Sequence, residues 1–99
     1  MVQVHLGAHM EGFIYLIESI KNKKRYLGST DNPSRRILEH NQGKCEATKY
    51  FLPWRCLIII NVDSLTEARR IEYYIKRQKE ELTIKNVIKS LNRYLNRDD

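Results

Sequence analysis

A chain of 99 residues with 41% hydrophobic content fits one globular domain with an economical core, and no stretch of any length is low-complexity. Eighteen Lys and Arg against twelve Asp and Glu leave a net charge of +6, which suits a polyanionic partner without requiring one. The longest apolar run, Cys56–Ile60, is far short of the roughly 20 residues that span a bilayer. No apolar stretch follows a basic start in residues 1–12, so no secretory signal is visible.

Gly7-Ala8-His9-Met10 has the form of an expression-tag remnant followed by a start methionine. Residues 1–10, with His5 and His9, are therefore set aside, and residues 11–99 are read as a single domain. Gly12–Ser19 is β-branched and aromatic and predicts a strand. Lys21–Lys24 is a polar turn, and Arg25–Ser29 predicts the returning strand of an antiparallel hairpin. Asn32 as N-cap and Pro33 at the first helical position open a helix that runs to about Asn41 and stops at Gly43. Its core contact is expected from Ile37 and Leu38.

Residues 44–53 read as a polar loop. Trp54–Val62 is the most apolar segment and predicts the central strand, covered on both faces. Ser64-Leu65-Thr66-Glu67 is a capping box for a second helix, with Leu65, Ala68, Ile71 and Ile75 as its buried stripe. A third helix from about Thr83 turns Ile84, Val87, Ile88, Leu91 and Leu95 to one side. The order ββαβαα predicts an α+β fold, a small three-stranded antiparallel sheet flanked by helices. Cys45 and Cys56 have neither zinc-ligand spacing nor a disulfide framework, and read as reduced thiols of an intracellular protein, in cytoplasm or nucleus.

Four residues of helix advance about 400°, so Arg36 and His40 are expected one turn apart on the exposed side. A guanidinium beside an imidazole can hold a phosphate, or the pair can be an ordinary solvated face. Glu72 falls at the rim of the second helix's buried stripe, where a carboxylate needs a cation. That cation is either a neighbouring Lys or Arg or a divalent metal such as Mg²⁺, which a single carboxylate suits. Tyr15 and Tyr26 on adjacent strands are either cross-strand packing or, with positive charge or a proton relay to help, a base. Tyr73, Tyr74 and Trp54 read as packing. No Gly-rich phosphate loop, Ser/His/Asp arrangement or His/Cys metal cluster is present.

Taken together, these segments resemble the GIY-YIG nuclease family. The resemblance rests on Phe13-Ile14-Tyr15 and, after ten intervening residues, Tyr26-Leu27-Gly28. It continues through Ser29–Asn32, Arg35–Asn41, Gly43, Thr48, Pro53-Trp54, Glu67-Ala68, Arg70–Glu72 and Lys76. It implies a divalent-metal-dependent DNA endonuclease, with DNA repair or recombination as the setting, leaving 5′-phosphate and 3′-hydroxyl ends with one Mg²⁺ or Mn²⁺ ion. Tyr15 is implied as the general base and Tyr26 as a neighbour of the scissile phosphate. Arg36 would stabilise phosphoryl charge, His40 would assist Tyr15 or the phosphate, and Glu72 would hold the metal. Phe13 departs from the motif glycine and Leu27 from the motif isoleucine. Ser29 stands where some members carry a lysine, for which Lys23, Lys24 or Lys49 are substitutes. Asn86 is the nearest match to a polar residue that closes some family sites.

Further DNA contacts are expected from Arg35 and Lys76. Lys85, Lys89, Arg93 and Arg97 form a basic side of the last helix, either solvated or touching the DNA backbone. A lone catalytic domain is expected to act on branched or distorted DNA, to work beside a protein partner, or to depend on a targeting domain elsewhere in a longer chain. The competing reading is a nucleic-acid-binding module that keeps the fold without cutting.

Overall fold

A computed structural model describes residues 11–97; the tag-like segment 1–10 lies outside the described residues. The elements follow the expected order: β1 (Gly12–Ser19), β2 (Arg25–Thr30), α1 (Pro33–Asn41), a 3-10 turn at Lys49–Phe51, β3 (Trp54–Val62), α2 (Leu65–Arg77) and α3 (Ile84–Leu95). Each helix begins where a short polar side chain can cap it. Asn32 accepts from the Arg35 amide, Ser64 from that of Glu67 and Thr83 from that of Asn86, satisfying amides that the first turn leaves unpaired.

The sheet is antiparallel in the order β2-β1-β3. The central strand is thus β1, not Trp54–Val62, which is an edge. All eight residues of β1 are buried, whereas in β3 Ile59 is 46% exposed. An apolar run reports how well a strand's faces are covered and carries no information on whether both its edges are hydrogen-bonded. Tyr15 is opposite Gly28, Ile17 opposite Tyr26, and Ile14 opposite Ser29. Directly paired residues share a face, so Tyr15 and Tyr26 lie on one side of the sheet and Ser29 on the other.

Helices cover both faces. On one, Ile14, Leu16 and Leu27 pack with Ala68, Ile71 and Ile75 of α2 and Val87 and Tyr94 of α3. On the other, Tyr15, Ile17 and Trp54 gather Tyr26, Ile37, Phe51 and Leu52. Gly12 allows the first packing: a Cβ there would stand 2.2 Å from the Ser64 carbonyl oxygen, so only glycine lets the α2 N-terminus come so close.

Two helix faces differ from expectation. In α1 the inward residues are Ile37 and His40, while Leu38 is 57% exposed; one step of about 100° carries Leu38 off the side that Ile37 and His40 share. In α3 the buried residues are Val87, Ser90 and Tyr94, leaving Ile84, Ile88 and Leu95 exposed. The Tyr94 ring sets this rotation by packing edge-on against Tyr74, centroids 5.4 Å apart, under the Arg97 guanidinium. Tyr73 is exposed beside Arg77 rather than packed. Cys45 and Cys56 are both free thiols. Among the described residues no helix is long and apolar enough to cross a membrane.

Candidate active site

β1 delivers Tyr15 to the α1 face, and its ring lies across β2 at Gly28. A Cβ on Gly28 would stand 2.4 Å from the Tyr15 hydroxyl; the missing side chain is the space that the phenol occupies. Since β2 is an edge strand, the ring points the hydroxyl toward an open sheet margin. Tyr26, two residues before Gly28 on the same face, stands beside it with ring centroids 6.4 Å apart.

The expectation that His40 shares an exposed side with Arg36 is corrected here. His40 is fully buried and bridges two elements: Nε2 lies 2.8 Å from the Tyr15 hydroxyl and Nδ1 2.7 Å from Thr48 Oγ1. Burial is tolerated because both ring nitrogens have partners. Burial first, then the nearby Arg36 charge, pushes the His40 pKa down to about 4. Burial pushes Tyr15 up to about 12, against the opposing pull of Arg36. The resting pair is therefore a phenol and a neutral imidazole. The phenol donates to Nε2, which leaves Nδ1–H to donate to Thr48, whose hydroxyl faces the Cys45 carbonyl at 3.5 Å.

Arg36 lies at the mouth of this buried chain. Its guanidinium reaches Glu39 Oε1 at 3.1 Å and Cys45 Sγ at 3.7 Å, and its positive charge is felt at Tyr15. It remains one-third exposed, so it can meet an incoming anion.

α2 packs on the opposite face of the sheet from Tyr15, yet Glu72 reaches the same margin. Its Oε1 accepts from Ser29 Oγ at 2.5 Å and its Oε2 pairs with Lys76 Nζ at 2.5 Å. Lys76 also lies 5.4 Å from the Tyr26 ring centroid, spanning the two faces. Burial chiefly raises the pKa of both Tyr15 and Tyr26, and the Glu72 charge adds a smaller push. The carboxylate from one face is thus held at the β2 edge by Ser29, within electrostatic reach of the phenols on the other. Ser29, which stands where some members carry a lysine, holds Glu72. Thr48 matches the family pattern with no role attached, and nothing in its spacing announces that it orients His40. The signal for Lys76 was available, since it lies four residues after Glu72.

The remaining expected DNA contacts divide. Arg35 lines the same polar cleft as Arg36 but pairs with Asp31 at 2.7 Å. Lys23 faces a concavity shared with Glu18, Arg25 and Glu81 near the hairpin turn, away from Gly28. Lys24 lies over Phe51, and Lys49 over Tyr50 while paired with Glu46. Asn86 donates to the Glu81 carbonyl at the start of α3. On the basic side of α3, Arg93 pairs with Glu80 and Arg97 stacks on Tyr94.

Among the described residues no group of three or more His, Cys, Asp or Glu could ligate a metal, so a closed transition-metal site has no ligands here. One carboxylate with a neighbouring hydroxyl is a hard oxygen donor set. It fits a Mg²⁺-type ion that keeps most of its waters and takes phosphate oxygens, provided that Lys76 yields its place on Oε2.

A phenol–imidazole chain, a guanidinium and an edge carboxylate on a three-stranded α+β scaffold define a domain suited to phosphoryl chemistry. The family comparison agrees: the GIY-YIG catalytic domain matches residues 11–86. The chain belongs to the GIY-YIG nuclease family. A comparison with curated proteins found no match.

Proposed function

We propose that this chain is a divalent-metal-dependent DNA endonuclease that hydrolyses a phosphodiester to 5′-phosphate and 3′-hydroxyl ends. The observation that carries the reading is that Ser29 holds Glu72 at the β2 edge within electrostatic reach of the Tyr15 hydroxyl, with Arg36 beside the phenol.

Burial disfavours both a free Tyr15 phenolate and a lone His40 imidazolium. Their 2.8 Å contact offers a relay in which neither the phenolate nor a proton from bulk solvent has to be supplied beforehand. As the Tyr15 oxygen takes the proton of an attacking water, its own proton passes along the 2.8 Å contact to His40 Nε2. Positive charge then sits on the imidazole, whose Nδ1–H stays bonded to Thr48. Arg36 receives the non-bridging oxygens of the phosphate, where charge accumulates. Glu72, oriented by Ser29, would hold Mg²⁺ or Mn²⁺, which when bound stabilises charge on the leaving oxygen. Tyr26 walls the site beside Tyr15.

One observation favours a binding module that does not cut: both Glu72 oxygens are already engaged, by Ser29 and Lys76. Supercoiled plasmid separates the two readings. The nuclease nicks it with Mg²⁺, stops with EDTA, and loses nicking in Tyr15→Phe, Arg36→Ala and Glu72→Gln while Glu72→Gln still binds DNA. Binding by wild type without any nicking, or nicking that survives Glu72→Gln, would overturn it. Linear, flapped, forked and four-way DNA then define whether the enzyme is structure-selective, and a dependence on added factors would reveal a protein partner or targeting module.

A further inference from the structure

α2 carries a second positive group toward the site that neither the sequence reading nor the relay uses. Arg69 precedes Glu72 by three residues, so the two share a side of the helix. Arg69 lines a polar cleft of about 250 Å³ with Ser29, Arg35, Arg36 and Glu39. The cleft therefore adjoins both halves of the site, Arg36 on one wall and the serine that orients Glu72 on the other.

Its charges are not equivalent. Asp31 and Glu39 are matched by Arg35 at 2.7 Å and Arg36 at 3.1 Å. Arg69 is exposed and, among the described residues, has no ion pair or hydrogen bond. The cleft thus presents one guanidinium with its whole donor fork open, and no unmatched carboxylate to repel an anion. Side chains three apart on a helix are neighbours, about 5–6 Å between their Cβ atoms, and Arg69 lines the cleft that also holds Ser29 and Arg36. A phosphate seated at Arg69 is therefore a neighbour of one seated between Arg36 and Glu72.

We propose that Arg69 receives the backbone phosphate adjacent to the scissile one, so that the cut strand enters along the cleft between α1 and α2 over the end of β2. The inference rests on the nuclease reading for which phosphate is scissile. The phosphate contact itself is measurable without cleavage. Arg70 supplies the charge-matched control: one step around the helix, it is directed to Glu67 at 3.9 Å and is highly exposed.

The test places Arg69→Ala, Arg69→Lys and Arg70→Ala in a Glu72→Gln background and titrates each with a fluorescein-labelled DNA duplex over a KCl series. A lost phosphate contact reduces the slope of log affinity against log salt by about 0.9. That loss is expected for Arg69→Ala and absent for Arg69→Lys and Arg70→Ala. In the otherwise wild-type chain, Arg69→Ala raises the KM for plasmid nicking about tenfold, the size of a lost charged hydrogen bond, with kcat retained. Equal slopes for Arg69→Ala and Arg70→Ala overturn the proposal, whether both fall or neither does, and leave the nuclease reading intact if nicking persists. The expected slope difference in a protein that never nicks removes the nuclease reading instead, and keeps Arg69 as a phosphate contact of a binding module.

Discussion

The ring of Tyr15 lies over Gly28 on the neighbouring strand, where a Cβ would stand 2.4 Å from its hydroxyl oxygen. This one absent side chain aims the phenol at the open edge of β2, where a carboxylate from the other face can approach it. Gly28→Ala is therefore expected to push the ring off its seat. Overpacking of this kind costs about 1–3 kcal/mol, readable as a lower denaturant midpoint. Nicking should fall far more than stability does, because the contact to His40 is lost with it. An alanine variant with full activity would show that the ring has room to spare.

Thr48 determines which His40 nitrogen faces the phenol. Thr48→Val keeps the volume but strands a buried Nδ1–H, at a cost of about 1–3 kcal/mol. It also releases the tautomer, so nicking is expected to slow about a hundredfold, the scale of general-base assistance. DNA affinity should not change, and Thr48→Ser should restore the rate. If Thr48→Ser is as slow as the valine variant, the hydroxyl is not what matters.

The buried imidazole ties stability to pH. The folded-state pKa of His40, about 4, lies below its ordinary 6.5. Between these values the unfolded chain binds the proton and the folded one does not. The contribution is thus complete above pH 6.5 and is lost as pH falls toward 4, about 3 kcal/mol in all. Glu18 and Asp31, whose carboxyls are held low chiefly by hydrogen bonds from Arg55 and Arg35, lose their contribution only at more acid pH. Tyr15 behaves oppositely: its raised pKa contributes below pH 10 and is lost as pH climbs toward 12. Urea melts of wild type and His40→Gln across pH 7 to 4 should converge as pH falls. Parallel curves would mean that His40 does not titrate in this window.

Lys76 occupies the Glu72 oxygen for which, on the proposed reading, a divalent ion would compete. Lys76→Gln should therefore lower the Mg²⁺ concentration that half-saturates nicking. A half-exposed ion pair is worth about 0.2–1 kcal/mol, so the shift should be at most about fivefold. A rise in the Mg²⁺ requirement would instead mean that the ammonium supports the metal site.

The short-range features of this protein are legible in its sequence. Polar caps at Asn32 and Ser64, proline at the start of α1 and the aromatic hairpin place nearly every element, because each depends on contacts within a few residues. The ordered motif from Tyr15 to Lys76 likewise suffices to identify the family. What the linear pattern could not supply is lateral and rotational. Hydrophobicity ranks β3 as most buried, yet hydrogen-bond partnership puts β1 at the centre. Helical period places His40 with Arg36, yet two polar partners from β1 and the loop draw it into the core. Glu72 and Tyr15 belong to opposite faces and come within electrostatic reach because β2 is an edge strand with glycine where the phenol crosses it. These outcomes depend on energies shared between segments far apart in the chain, which no local window contains.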